Sequence, residues 1–487
     1  MQAMRQRQWR MMAFLTLISL ILAACGSSTG TTTTPSGAAA STGASAAPAA
    51  SDAAAPTASD ASASSAAAPA GSGAAAAGGV NLNQNVSGTV QFWHFWGSPV
   101  RRNAVRRVIA ICGQQLPNIK VQETFKPFGD IWTANIAAVA AGSGMPDVIV
   151  EDRPQLKQRA ADQIDQSLQE RAARDGIDGS QFWPFTWDQT LYENQTYGIP
   201  FETDVRVLYW NKNAFKEAGL DPEKPPTSWD ELQQYADKLD KKNEDGSYAR
   251  IGFMPLWNGG SDIWALTNGL ELISKDGKPQ LNDPKMVETV DWIKTWVDRY
   301  GGWQEVQKFK AGFSAPPQDL FMSGSLAMFV DINGYTSQLD FFRPRVKNAE
   351  GKDEELLWGV TDLPAKTQKG SSSGGFALSI PRGAPNADAA WEFIKCATGP
   401  EAQASWARDT YAMPANQTAA KDPVLAADPR WTTFVNAMEY TSGGNYLQQY
   451  PNFKEQLDQR YEKIWSGELS GKDALDQAQQ AVEAEIQ

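Results

Sequence analysis

Thr89-Val90-Gln91-Phe92-Trp93 opens the stretch that decides the fold. This β-branched and aromatic run predicts a strand. Behind it, Val105, Val108, Ile109 and Cys112 fall at i, i+3, i+4 and i+7, the spacing of one buried helix face. Pro117-Asn118 ends that helix, and residues 119–125 predict a second strand. Asp130 is expected to cap a helix that runs to Ala141 and stops at Gly142. Pro146-Asp147 then leads into Val148-Ile149-Val150, a short apolar strand. Strand, helix, strand, helix, strand is the pattern of a parallel sheet with helices on its faces, so the fold class is α/β.

The same alternation continues outward. Tyr197-Gly198-Ile199-Pro200 precedes an extended run over 205–210, and a strand is expected near 251–254. Ser228-Trp229-Asp230-Glu231 is a capping box that opens a helix to about Leu239. Asp283-Pro284 starts a helix with Val290, Ile293 and Val297 on one face, stopped by Gly301-Gly302. Residues 326–330 and 376–380 predict strands. Asn386 is expected to cap a helix ending at Thr398-Gly399-Pro400, and the last 35 or so residues read as charged helix.

Upstream lies a different chemistry. Arg5, Arg7 and Arg10 precede an apolar run over 11–22, which ends in Leu22-Ala23-Ala24-Cys25. A basic start, a short apolar run and small residues at the cut describe a signal peptide over 1–24. At about 12 residues the run is too short to span a bilayer as a stable helix. The cysteine after the small residues resembles a bacterial lipobox, which implies that Cys25 carries lipid and becomes the mature N-terminus. Residues 25–80 carry only Asp52 and Asp60 as charges and no aromatic ring. Such a Ser/Ala/Thr/Gly/Pro segment buries too little apolar surface to order itself, so a disordered tether is expected. With flexible-chain statistics its reach is roughly 40 Å. The expected address is extracytoplasmic, on the outer face of the cell membrane or in the periplasm, with lipid as the sole membrane contact.

The formal charge of −12 falls further once the three signal-segment arginines are removed. An acidic chain has no electrostatic footprint for nucleic acid. With one histidine and three cysteines, one of them assigned to lipid, no His/Cys zinc site can be built. No metal, cofactor or catalytic residue is assigned. About 400 residues remain after the tether, more than one core supports, so two lobes are expected. The body holds almost all of the 18 Trp, 12 Tyr and 20 Phe.

Six stretches in order carry a family resemblance. They are Val90-Gln91-Phe92-Trp93; residues 142–149; Tyr197-Gly198-Ile199-Pro200 running to Tyr209-Trp210-Asn211-Lys212; residues 321–328; residues 374–380; and residues 390–395 with Gly399-Pro400-Glu401 behind them. Together they resemble the extracellular solute-binding proteins of ABC importers, in the carbohydrate-binding group related to maltose-binding protein. The resemblance covers about 86–487. It implies a two-lobed, type II periplasmic-binding-protein-like fold with ligand between the lobes and closure about a hinge. One lobe would hold 86–202 plus 374–415, the other 203–373 plus 416–487. The implied function is capture of a sugar or oligosaccharide by a monomer and its delivery to ABC permease subunits.

A sugar site needs aromatic faces for the C–H face of the ring and polar groups for its hydroxyls. The resemblance directs attention to loops at strand C-terminal ends. Consecutive aromatics cannot all face one core, so Phe95 or Trp96 is expected to reach the ligand, and Trp96 is chosen; His94 reads better as a structural histidine. Asp152 and Arg153 follow the third strand, where the family places hydroxyl-binding groups. Glu202 and Asp204 stand at the first crossing between lobes. Trp257 and Asn258, Asp331 and Tyr335, and the backbone at Gly374 and Gly375 complete the candidate set. Each has a plainer alternative: core packing for the rings, and turn or hinge hydrogen bonding for the polar groups. Cys112 and Cys396 stand where the family usually has Phe, in helices assigned to one lobe. The compartment permits a bridge, and two buried free thiols are the alternative.

Two other functions fit the composition. The same fold could take a polyamine, an amino acid or a metal complex, since fold does not fix ligand. A secreted glycoside hydrolase would need two carboxylates about 5–9 Å apart, for which Glu202 with Asp331 or Asp152 with Glu202 are the pairs to consider.

Overall fold

A computed structural model describes residues 81–443, apart from 275 and 349, and residues 453–485. The signal segment, Cys25 and the tether lie outside the described residues. The elements that position the site are, in order, β1 (Gly88–His94), α1 (Pro99–Gln115), β2 (Ile119–Phe125), α2 (Asp130–Ala141), β3 (Val148–Asp152), α3 (Arg153–Ala161), β4 (Ile199–Thr203), β5 (Arg206–Asn211), α4 (Trp229–Leu239), α5 (Pro284–Arg299), β6 (Met328–Ile332), β7 (Trp358–Thr361), β8 (Gly375–Ser379), α6 (Ala387–Ala397), α7 (Pro400–Thr410) and β9 (Met413–Pro414).

Six strands form one sheet in the order β9-β4-β8-β3-β1-β2. β1 pairs in parallel with β2, from Gly88 against Ile119 to His94 against Phe125, and with β3. β8 runs antiparallel to β3 and β4, and β9 antiparallel to β4. These directions put the ends of β1, β2, β3 and β4 and the starts of β8 and β9 on one edge of the sheet. A second sheet, β6-β5-β7, is antiparallel. Its matching edge is formed by Arg206 at the start of β5 opposite Ile332 at the end of β6.

Two buried apolar clusters accompany the two sheets. Val90, Phe92, Val148, Ile149, Val150 and Trp391 belong to the first, and Val207, Tyr209, Phe253, Trp264 and Trp296 to the second. β3 is apolar at Val148, Ile149 and Val150 without alternation because successive side chains on both faces of this central strand are buried. The chain passes between the sheets at Asp204-Val205, between β4 and β5, and returns at Ser373-Gly374 into β8.

Several local expectations need correction. Asp130 is the first residue of α2, not its cap; Gly129, with φ 86°, holds the cap position. Asn386 holds the cap position of α6 without a capping bond from its side chain. Its Nδ2 donates to Asp147 at 3.3 Å instead. Residues 251–254 form no strand; Ile251 makes a single bridge to Leu326. In the β5–β6 register Leu326 would face Lys212, where β5 has given way to a helix over Lys212–Glu217, so β6 starts two residues later than expected. At α4, Ser228 accepts the N–H of Glu231 at 3.2 Å, while Glu231 reaches past Ser228 to the N–H of Thr227 at 2.7 Å. Cys112 of α1 and Cys396 of α6 are joined in a disulfide with Cα atoms 5.7 Å apart.

Candidate functional site

The shared edge of the six-stranded sheet gathers most of the candidate polar residues. Arg153, which follows β3, has no exposed surface. Its Nη1 donates to Gln189 Oε1 at 2.8 Å, and its Nη2 donates to Thr203 Oγ1 at 2.9 Å and to the carbonyl of Gly374. One guanidinium therefore ties β3, the end of β4 and the return segment before β8. Burial lowers its pKa to about 10, against the pull of Asp204, Asp152 and Glu202. Gly375 makes this approach possible. Its φ is +122°, and a Cβ there would lie 2.4 Å from the Glu202 carbonyl and 2.6 Å from Arg153 Nη2.

Asp204 closes the other side of the network. It accepts the N–H of Gly374 at 3.0 Å and Arg206 Nη1 at 3.0 Å. Thr203 and Ser373 share a hydroxyl–hydroxyl hydrogen bond of 2.7 Å. Ser371 Oγ accepts the N–H of Arg206 at 3.1 Å and donates to its carbonyl at 2.8 Å.

Asp152 stands apart from these partners. It is half-buried, and no donor among the described residues reaches its carboxylate. Burial pushes its pKa up to about 6; Arg153 opposes the shift and Asp204 adds to it. On the second sheet, Asp331 accepts Asn258 Nδ2 at 3.0 Å and the N–H of Ile332 at 2.7 Å. Burial raises its pKa to about 7 despite those bonds. Asn258 holds φ at 58°, a conformation Asn tolerates better than most residues. Asp331 pairs with Val207 on β5, one residue from the Arg206 that binds Asp204.

The ring candidates behave differently. Trp96 is 1% exposed, so it presents no face to a ligand. Its indole N–H donates to Glu202 at 3.2 Å, and its ring packs on Trp406 at 4.6 Å and Phe201 at 5.4 Å. Phe95 is buried too. The alternation argument failed because the chain has left the strand by Phe95 and folds both rings inward. Glu202 accepts Trp96 and also Trp406 Nε1 at 2.7 Å, so its carboxylate is already engaged. Burial raises its pKa. Trp257 is buried and stacked on Phe309 at 5.9 Å. Tyr335 is buried against Tyr209 at 5.3 Å and donates its hydroxyl to Asp319 at 2.8 Å. These three rings are core here, because each finds apolar neighbours and, for Trp96 and Tyr335, a carboxylate for its polar atom.

Sequence reasoning missed Gln189, Thr203, Arg206, Ser371, Ser373 and Trp406. Thr203 lay inside the Glu202-Thr203-Asp204 stretch, and the serines lay directly before Gly374. Gln189 and Trp406 had no local signal. His94 is buried, and Glu123 lies 3.2 Å from its Nε2. Burial lowers its pKa against the pull of Glu123. Among the described residues, no group of three or more His, Cys, Asp or Glu is placed to hold a metal ion. None of their helices is long and apolar enough to cross a membrane.

Comparison with known proteins agrees with this architecture. The chain is similar to CpMnBP1 solved with mannotriose bound, at 25% identity and a TM-score of 0.69, over 82% of this chain and all of that one. The sugar-binding protein MalE of Xanthomonas citri shares the fold, with a TM-score of 0.65 at 20% identity, over 82% of this chain and 97% of that one. The sn-glycerol-3-phosphate-binding periplasmic protein UgpB of Escherichia coli strain K12 is 24% identical over 424 residues, 80% of this chain and 90% of the relative. The model of the bacterial extracellular solute-binding proteins matches residues 107–433, most of the chain, and the protein belongs to that family.

Proposed function

We propose that this protein captures a sugar or oligosaccharide between its two sheets and delivers it to the permease of an ABC importer. Asp152 carries the reading. It is a half-buried carboxylate at the crossing edge, without a donor among the described residues, suited to accept ligand hydroxyls. Arg153 and Gly374 hold the backbone around it, and Asp331 offers a second carboxylate from the other sheet. Asp204-Val205 and Ser373-Gly374 serve as hinge strands, between lobes of 86–202 plus 374–415 and 203–373 plus 416–487. Lipid at Cys25 holds the body to the membrane through the tether. The role is binding without catalysis.

The relatives' names divide between saccharides and a phosphate ester. The site favours the neutral ligand. A phosphate would meet Asp152, Asp204 and Asp331, while the Arg153 guanidinium already has protein acceptors. A thermal-shift screen of the purified chain separates the readings. The ligands are mannobiose, mannotriose, maltose, sn-glycerol-3-phosphate and spermidine. A ligand at 100 times its Kd adds about 2.7 kcal/mol of stability. A shift with a saccharide that is recovered intact supports the proposal. A shift with only the phosphate ester or the polyamine overturns it, and cleaved saccharide overturns the non-catalytic role.

A further inference from the structure

Phe128 is 48% exposed, although three other rings surround its base. It lies in the turn between β2 and α2, on the edge of the six-stranded sheet that also carries Asp152. Its ring meets Phe95 edge-on at 5.1 Å and Trp132 at 4.8 Å. Phe376, half-buried, packs on Phe95 at 4.6 Å and lies 6.5 Å from Phe128. Phe376 is also the cross-strand partner of Asp152. Antiparallel partners project from the same face of a sheet, so a phenyl ring and a carboxylate that no donor among the described residues reaches emerge side by side.

The neighbouring Phe125 makes a useful contrast. It too is exposed, but the Arg102 guanidinium covers its face at 4.7 Å. Among the described residues no cation lies over Phe128 or Phe376. Edge-to-face contacts fix these rings before any ligand arrives, and little ordering is left to do on binding. An apolar face beside hydroxyl-accepting oxygen matches the two-sided chemistry of a pyranose, with C–H bonds on one side and hydroxyls at the rim. Glycerol phosphate and a polyamine have no such ring face.

We propose that Phe128 and Phe376 form the apolar wall of the ligand site, against which the C–H face of a sugar ring lies while Asp152 accepts its hydroxyls. This inference rests on the saccharide reading of the site. Sequence reasoning had no route to it: Phe128 is a single ring between Pro127 and Gly129, and the wall forms only when β2, β3 and β8 come together.

The test is calorimetric titration of the wild-type chain and of Phe128→Ala, Phe128→Trp and Phe376→Ala with the saccharide that gives the largest thermal shift. Phe128→Ala is expected to weaken binding about tenfold or more, from the apolar area it removes. Phe128→Trp should stay within about threefold of wild type, since it keeps a flat face. The ligand-free Tm of both Phe128 variants should stay near wild type, because the replaced ring is half exposed. Unchanged saccharide affinity in both Phe128→Ala and Phe376→Ala overturns the wall and leaves the saccharide reading standing. A wild-type chain that binds only the phosphate ester or the polyamine overturns both.

Discussion

Asn333 Oδ1 accepts the backbone N–H of Val205 at 3.0 Å. Its own N–H donates to the Val205 carbonyl at 3.1 Å, and its Nδ2 donates to the carbonyl of Tyr411. One fully buried amide thus clamps the crossing between β4 and β5 to the end of α7, where Tyr411 holds φ at 54°. Asn333→Ala strands the buried Val205 N–H and leaves the half-buried Tyr411 carbonyl without this donor. The expected loss is about 1–3 kcal/mol. Urea unfolding measures it, and an unchanged midpoint would mean that water replaces the amide.

How much of this was legible in the sequence follows from the range of the forces involved. β1, α1, β2, α2 and β3 were readable because hydrophobic period and turn residues act within a few positions. Of the polar candidates, Asp152 and Arg153 follow the Val148-Ile149-Val150 strand that the alternation predicts, whereas Asp204 and Gly374 were reached only through the family resemblance. The rings were not. Whether Trp96 faces ligand or core depends on Glu202 and Trp406, which lie more than 100 residues away. Phe128 shows the reverse case: an unremarkable residue that gains a role from Phe376, 248 positions along the chain by its number.

The Cys112–Cys396 bridge joins residues 284 positions apart. It ties α1 to α6 within one buried cluster. A cross-link of that span restricts the unfolded chain strongly, and native disulfides commonly contribute about 2–4 kcal/mol. Reducing agent should therefore lower the Tm of the wild-type chain. The Cys112→Ala/Cys396→Ala variant should start lower and not respond to reductant. Equal sensitivity in the two chains would refute the bridge as the cause.

Asp165 and Glu151 form a buried pair beneath the site, with Arg159 and Asn135 facing them. Neither carboxyl has a hydrogen-bond donor by distance and angle among the described residues. Burial pushes Asp165 up to about 8, against the pull of Arg159, and pushes Glu151 well above the carboxylate range, with Asp165 adding to the shift. The folded chain therefore keeps protons that the unfolded chain releases near pH 4. More protons on the folded state means that this contribution is full below about pH 4 and is lost as pH rises through 8. Relative to Asp165→Asn, the wild type should lose stability between pH 5 and pH 8.5. Parallel Tm-versus-pH curves for the two chains would sink the assignment.

Asp152 supplies the complementary pH dependence, read in affinity. Its carboxyl titrates at about 6, because burial outweighs the nearby Arg153. Ligand hydroxyls donate more strongly to a carboxylate than to a carboxylic acid. Saccharide affinity should be flat above about pH 7 and weaken as pH falls through 6, where the acceptor takes a proton. Asp152→Asn removes the charged acceptor. Its affinity should be about tenfold lower at pH 7.5, from the strength of a charged hydrogen bond, and should vary little between pH 5 and 8. Because no donor among the described residues loses a partner, its ligand-free Tm should match or exceed that of the wild type. Calorimetry at pH 5, 6, 7 and 8 on both chains distinguishes this from a general acid effect on folding. Equal slopes in the two chains would show that the pH dependence lies elsewhere, with Asp331, which titrates at about 7, the next group to substitute.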